Sequence, residues 1–514
     1  MQRSAWRLIV LGLAANLLNG SCARVGFEPF GIPGDSRPTS DSNPDHATHD
    51  GNAHPGDGNV DDHKVIDGIH PDAPGPDMGP SCGPGFPPHR WSKTFGSADG
   101  DVSASVNIDA QGNVYLTGRF KGTVDFGGGP LSSDSGSSDI FVASYTKSGA
   151  HRWSKRFGGA GDDGGEYLRV DASGNIYLTG SFVGTTDFGN GPVTAHDGGS
   201  DAFIASFTSA GVHRWSKTFG EKWSDIGTGL AFDSQRNVYL NGSFHTIDLG
   251  GGIITSKGGS DTFLVSFTSA GVYRWSKTFG GPNADYASAL VVDAKDNLVA
   301  TGRFFETLDM DGEILTSKGE GDIYILSCTA TGTKRWIKSF GDTLDDGPFD
   351  VVVDKSGNVT ITGRFQNTLD FGGGPITSHG GSDVFLASFT SAGVHRWSKG
   401  FGGIPNEAGR RLAVDSAGNI FLGAHLAGTG DPGGGPITSV GNADILVASY
   451  TNMGLSRWQK NFGDSHTQTA YGIAVDPSGC RVTVSGWFGG AVNFGGGDLP
   501  SKGSSDIFVV QFAP

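Results

Sequence analysis

The sequence predicts an all-β fold, a seven-bladed β-propeller of four-stranded blades with N-to-C strand closure. Three observations lead there: a repeat of 60 to 62 residues, turn residues at fixed places in each repeat, and strands that are apolar on both faces. The repeat is marked by Trp91, Trp153, Trp215, Trp275, Trp336, Trp397 and Trp458. Each Trp follows an Arg, precedes a Lys by two residues and leads into Phe-Gly, as in HRWSKTFG at His89.

The elements follow in order. An apolar segment ending in Asp and a Gly-Asn turn form strand A, as in RVDASGN; an aromatic run ending in Thr-Gly forms strand B, as in IYLTG. A glycine-rich bend such as TVDFGGGPL follows, read as a crossing between blades, and then strand C (SDIFVASYT) and strand D (HRWSKTF). In strand C, Ile140 and Val142 face one way and Phe141, Ala143 and Tyr145 the other. A sheet apolar on both faces is one packed between two others. The repeats begin with a D strand at His89 and stop after a C strand at Phe512, so the first D strand is expected to complete the seventh blade and remove the open edge.

Composition narrows the classes. Among 514 residues, 86 Gly with 33 Phe and 10 Trp suit many short strands and turns and exclude a purely disordered chain. A net charge of −16 argues against nucleic acid as the main partner. Residues 1–21 read as an export signal, with Arg3 and Arg7 ahead of an apolar stretch, Leu8 to Leu18, too short to span a bilayer. Residues 22–81 read as a disordered tether, since from residue 23 they carry eleven acidic against three basic side chains among Pro, Gly and His. His46, His49, His54, His63 and His70 in that tether are better explained as a solvated acidic linker than as metal ligands. Residues 82–514 form the propeller.

Three resemblances rest on these residues. Leu18-Asn19-Gly20-Ser21-Cys22 resembles a bacterial lipoprotein signal, which implies lipidation of Cys22 and an outer-membrane or cell-surface lipoprotein, the alternative being a plain secretory signal and a periplasmic or secreted protein. The repeat, as in DASGNIYLTG, resembles the bacterial seven-bladed β-propeller repeat family, which implies the fold but leaves the function open. The segment DIFVASYTKSGAHRWSK is also somewhat similar to quinoprotein-type propeller strands.

Candidate site residues come from recurrence and from its failure. Asp109, Asp171, Asp233, Asp293, Asp354, Asp415 and Asp476 precede tight turns and are read as turn acceptors. Six residues after each Phe of strand D stand Asp101, Asp163, Asp225, Asp285, Asp346 and Glu407, with Gln468 in the last unit, expected as a ring on one face that could bind a cation or ligand. Around them Trp223, Tyr286, Arg410 with Arg411, and His466 differ from blade to blade, as a ligand-specific surface would. The Asp before each strand C, such as Asp139, Asp201 and Asp506, is expected near the Lys after a Trp: Lys155, Lys217 and Lys93 respectively. Cys328 is expected as a buried thiol, and Cys82 with Cys480 as a disulfide clasping the ring. No catalytic motif is present: no G-x-S-x-G, no H-E-x-x-H, no phosphate-binding glycine loop and no Cys-x-x-Cys.

The leading reading is therefore a noncatalytic cell-surface propeller, monomeric, that binds a surface protein or a glycan. No cofactor is expected, with calcium the one candidate cation. The alternatives are a propeller enzyme, either a quinone-dependent oxidoreductase or a polysaccharide hydrolase or lyase, and a structural scaffold. The side chains lining the central channel discriminate: clustered His, Arg, Tyr and carboxylates favour an enzyme, a narrow channel of small residues favours binding.

Overall fold

The computed structural model describes residues 85–134, 136–196 and 198–513, and among these every regular element is a β-strand. They form seven four-stranded antiparallel sheets. The first blade shows the pattern: strand A is Val102–Ile108, B is Val114–Lys121, C is Ser138–Tyr145 and D is His151–Phe157. The A strands of successive blades adjoin one another around a central axis, and the D strands lie at the rim. The core sits between blades, where aromatic faces such as Phe126 on Phe141 (ring centroids 4.6 Å apart) are fully buried.

The ring closes as the repeat boundaries require. His89–Phe95 pairs antiparallel with Asp506–Phe512, Trp91 opposite Gln511 and Phe95 opposite Ile507, so the seventh sheet holds both ends of the repeat region. Phe86 reinforces the junction, its ring 4.9 Å from Trp458 and 4.7 Å from Phe512, and the Ala513 N–H donates to the Pro88 carbonyl at 2.9 Å.

The recurring tryptophans are latches between neighbouring blades. Trp153 Nε1 donates to the Ser209 carbonyl at 3.0 Å, in the C-to-D turn of the next blade, and Trp91, Trp215, Trp275, Trp336 and Trp397 repeat the contact at 3.0–3.2 Å. Trp458 would reach the turn of the seventh blade, where the chain is interrupted, and Phe86 packs against it there.

Two features differ from the sequence expectation. The segments read as bends between blades fold back as small hairpins within each blade, Thr123–Asp125 on Pro130–Ser132 in the first. Asp125 causes this, since its Oδ1 accepts the Gly127 and Gly129 N–H groups at 2.7 and 3.0 Å and so closes the glycine run into a turn. In the fourth blade the hairpin merges with strands B and C, giving Leu298–Met310 and Glu313–Cys328.

The second feature is a β-bulge in every A strand, between Ser103 and Ser105 in the first blade and at the equivalent place in the others. The bulge explains the Thr-Gly of strand B. A Cβ on Gly118 would lie 2.0 Å from the Val102 carbonyl oxygen, and Gly180, Gly242, Gly302, Gly363 and Gly486 meet the equivalent carbonyl at 1.9–2.1 Å. Glycine is there because the bulged partner occupies the space of a side chain. The sixth blade carries Ala424 at this position, opposite Gly409.

Candidate functional site

The carboxylates expected as an open ring lie inside the blade ends. Asp101, Asp163, Asp225, Asp285, Asp346 and Glu407 are at most 1% exposed. Asp101 Oδ2 accepts the Ser97 N–H at 2.7 Å and Oδ1 the Lys121 N–H at 2.8 Å, while its own N–H donates to the Ser505 carbonyl of the preceding blade at 3.0 Å. One side chain thus joins the D-to-A loop, the end of strand B and the neighbouring blade. The reading of these residues as a surface open to a cation or ligand is corrected by that geometry. Among the described residues no group of three His, Cys, Asp or Glu side chains is arranged to hold a metal ion.

Each of these acids is paired with a second. The Asp at the start of strand C in the preceding blade is buried beside it, and the glycine of Phe-Gly lies between them. A Cβ on Gly158 would sit 2.6 Å from Asp163 Oδ2 and 2.8 Å from Asp139 Oδ1. Burial first, and the neighbouring carboxylate in most pairs, push the first acid up, against backbone hydrogen bonds that lower it. Asp101 is raised to about 6, Asp163, Asp285 and Asp346 to about 7, and Asp225 and Glu407 to about 8. Oδ1 of Asp139, Asp261, Asp322, Asp383, Asp444 and Asp506 is buried without a hydrogen-bond partner among the described residues, as is Oε2 of Glu407. For Asp225 and Glu407, raised to about 8, burial and the neighbouring carboxylate favour the protonated acid at neutral pH. The seventh pair makes the same point in its sequence: Gln468, the neutral amide counterpart of a protonated Glu, stands beside Asp444.

The expected pairing of the strand C acids with the Trp-x-Lys lysines is also corrected. Asp139 binds Arg156 Nε, Asp201 binds His196 at 2.9 Å and Asp383 binds His379 at 3.1 Å. Strand register is the reason. Ile140 faces Phe157 and Phe141 faces Arg156, so Asp139 shares a face with Arg156, whereas Lys155 faces Val142 on the other side. The turn acids behave as read: Asp109 Oδ1 accepts the Gln111 and Asn113 N–H groups at 2.9 and 2.8 Å. Asp109 Oδ2 also accepts from Tyr115 Oη at 3.0 Å, which in turn accepts from Arg152 at 2.8 Å, so the Arg of Arg-Trp is structural.

The variable residues divide into two groups. Trp223, 69% exposed, and His466, hydrogen-bonded to Asp464 at 3.2 Å, stand on D-to-A loops. Tyr286 and Arg410 belong to A strands at the axis, where the bulges matter. The extra residue of each bulge is Ala104, Glu166, Thr228, Ser288, Phe349, Arg410 or Tyr471, a set with no repeat. Three of them, from three consecutive blades, meet: the Arg410 guanidinium lies 4.7 Å from the centre of the Phe349 ring and 5.0 Å from that of Tyr471. That contact places the bulged side chains in the channel, and a bulge re-aims the side chain it carries.

Beneath this stack the channel is bridged. Arg411, from the sixth blade, lies 5.1 Å over the ring of Tyr167 from the second, whose other partner is Arg169 at 5.3 Å. Arg411 also donates to the Phe349 carbonyl at 3.2 Å, and Asp350 faces both Arg411 and Arg169 while accepting the Leu412 N–H at 2.8 Å. Glu166 faces Arg119 and Arg411, and burial raises its carboxyl. At the mouth, Asp345 is shared by Arg303 and Arg364, both at 2.8 Å, with Arg303 stacked 5.6 Å from the Tyr286 ring. Six guanidinium groups therefore gather with three carboxylates in a protein whose net charge is −16. His425 registers the excess: burial, with Arg410 and Arg364 beside it, lowers it to about 3. Sequence reasoning found Arg410, Arg411 and Tyr286 but missed Glu166, Tyr167, Phe349, Asp350, Tyr471 and His425. The signal that could have found the bulge residues is the third position after each buried acid, where the repeat breaks down.

Cys328 is a free buried thiol that burial pushes up to about 12. Cys480 is disulfide-bonded, while Cys22 and Cys82 lie outside the described residues, as do the export signal and the tether.

No family model matches the sequence. The chain is 27% identical over 440 residues to the regulatory protein FlaEY of Caulobacter vibrioides, covering 79% of this chain and 44% of that protein. It is 20% identical over 517 residues to the uncharacterized WD repeat-containing protein L264 of Acanthamoeba polyphaga mimivirus, covering 79% and 36%. The chain thus spans less than half the length of these curated relatives. Among solved structures, that of U3-55K is similar with a TM-score of 0.44 at 8% identity, over 82% of this chain and 99% of that one. The strand order of the chain itself makes it a closed seven-bladed β-propeller.

Proposed function

We propose that this protein is a noncatalytic binding propeller, exported and held at the cell surface through a lipid on Cys22 and the tether of residues 22–81, with the channel mouth and the D-to-A loops around it as the recognition face for a surface protein or glycan. The observation that carries the reading is the division of labour within each repeat. Latches, turn acids and buried acid pairs recur from blade to blade, whereas the bulged residue at the axis differs in all seven. Repetition serves folding, and variation confined to one face serves recognition. The description of the bacterial relative as a regulatory protein is compatible with binding.

One observation favours the enzyme reading: the channel holds the cluster of Arg, Tyr, His and carboxylates named above as its mark. Against it, His425, lowered to about 3, is a weak base near neutrality, and both Asp350 oxygens accept backbone N–H groups. The binding reading is tested by probing a glycan array and cell-surface extracts with the soluble propeller, residues 82–514. Capture of a partner that weakens at least tenfold in Tyr471→Ala and Trp223→Ala together supports it. Equal capture by wild type and variant, or turnover of an acidic polysaccharide to unsaturated products, sinks it.

For the clasp, we propose Cys82 as the partner of Cys480. Peptide mapping of the nonreduced protein is expected to yield one linked peptide pair containing both residues, and a pair joining Cys480 to any other cysteine overturns the assignment.

A further inference from the structure

We propose that the mouth of the axial channel is a binding site for a carboxylate-bearing sugar, with the carboxylate taken by the cationic group around Arg364 and Arg410 and the ring laid against the aromatic side chains beside them. This rests on the binding reading above and deepens it.

Three observations point the same way. The first is charge. The channel gathers more guanidinium groups than carboxylates, and the surplus lies on the side of the fifth and sixth blades, where Arg410, lowered first by burial, has Arg364 and Arg411 beside it, and where burial with Arg410 and Arg364 lowers His425. An anion in that place would relieve the repulsion among these cations.

The second is unused hydrogen-bonding capacity. Arg411 Nε is buried and makes no hydrogen bond among the described residues, although the residue retains some accessible surface. A buried donor left open in this way costs roughly 1–3 kcal/mol unless a ligand or water meets it.

The third is the aromatic lining. Phe349, Tyr471 and, at the mouth, Tyr286 and Phe305 place ring faces around the arginines. Guanidinium forks held flat by aromatic stacking are pre-organised for a planar carboxylate, and the remaining ring faces suit the C–H face of a sugar. The opposite side of the bulge ring carries three small residues, Ala104, Thr228 and Ser288, and one acid, Glu166.

The test uses glucuronate, glucose and inorganic phosphate, titrated calorimetrically into the soluble propeller at low salt. Glucuronate differs from glucose in one carboxylate, so saturable binding of glucuronate with none of glucose is the expected result. Binding is expected to weaken at least tenfold in Arg364→Gln, whose side chain is partly exposed, and in Tyr471→Phe to remain within a few fold because the ring is kept. Absence of glucuronate binding, equal binding by Arg364→Gln, or phosphate binding as tightly as glucuronate each overturns the proposal, the last because the site would then read charge alone. If glucuronate fails while the array or extract still yields a partner, the carboxylate assignment falls and the binding propeller stands; if neither binds, both fall.

Discussion

Deleting residues 85–96 is expected to lower the melting temperature of the soluble propeller by about 10 °C or more and to drive its association. The deletion removes the strand His89–Phe95 and exposes the whole edge of Asp506–Phe512, a strand whose seven residues are all buried. It also removes the Trp91 latch to the Lys147 carbonyl and the packing of Phe86 on Trp458 and Phe512. Six backbone partners lost with three aromatic side chains, Phe86, Trp91 and Phe95, amount to several kcal/mol, on the order of 5. Light scattering and a thermal melt decide it: unchanged melting with no growth in particle size would mean that closure contributes little to the stability of the ring.

The second large effect concerns pH. The six buried acids have folded-state values of about 6 to 8, against 3.8 or 4.5 for the ordinary side chains. The folded protein therefore holds protons that the unfolded chain releases, so their contribution to stability is complete below about pH 4, falls as pH rises from there, and is gone once pH has passed the folded values of about 6 to 8. Surface acids such as Asp125 and Asp370, lowered by hydrogen bonds from glycine N–H groups, act in the opposite sense below pH 4. Maximum stability is thus expected at about pH 4, with the melting temperature lower at pH 9 by at least about 5 °C. Glu407→Gln reproduces in the sixth blade what Gln468 does in the seventh. It should leave stability nearly unchanged at about pH 4 and raise it relative to wild type at pH 9 by about 2 kcal/mol, the effect of sparing one buried charge, discounted for its partial screening. A variant destabilised equally at both pH values would mean that the pair holds no proton.

The fold was legible because its determinants are local. The spacing of tryptophans counts the blades, the turn acids mark each A-to-B turn, and the offset between His89 and Phe512 reveals closure without any distance. The site was half legible, for two physical reasons. Asp101 and its equivalents were assigned to the correct end of the blade, but whether a side chain faces water or two backbone amides depends on a loop folding over it. Lys155 was expected at Asp139 on proximity along the strand, and the side-chain period of two put it on the wrong face. The channel was hidden for a third reason: a bulge is a property of paired strands, so Glu166, Phe349 and Tyr471 look like ordinary strand residues until the register is known. Tyr286 and Arg410 stood out only because their neighbours in other repeats are different.

The bulge has an evolutionary consequence. Its extra residue makes no ladder pairing, and the glycine opposite has already made room for the distorted backbone, so the axial side chain can change with little effect on the sheet beneath it. An array grown by copying one blade thereby acquires seven positions that can diverge independently, and new specificities can be tried without first being stabilised elsewhere. Ala424, which stands where the other blades keep glycine, shows that even the supporting position has some latitude. Such a ring is a natural chassis for combinatorial selection, with the seven bulge residues randomised and every latch and acid pair left as it is.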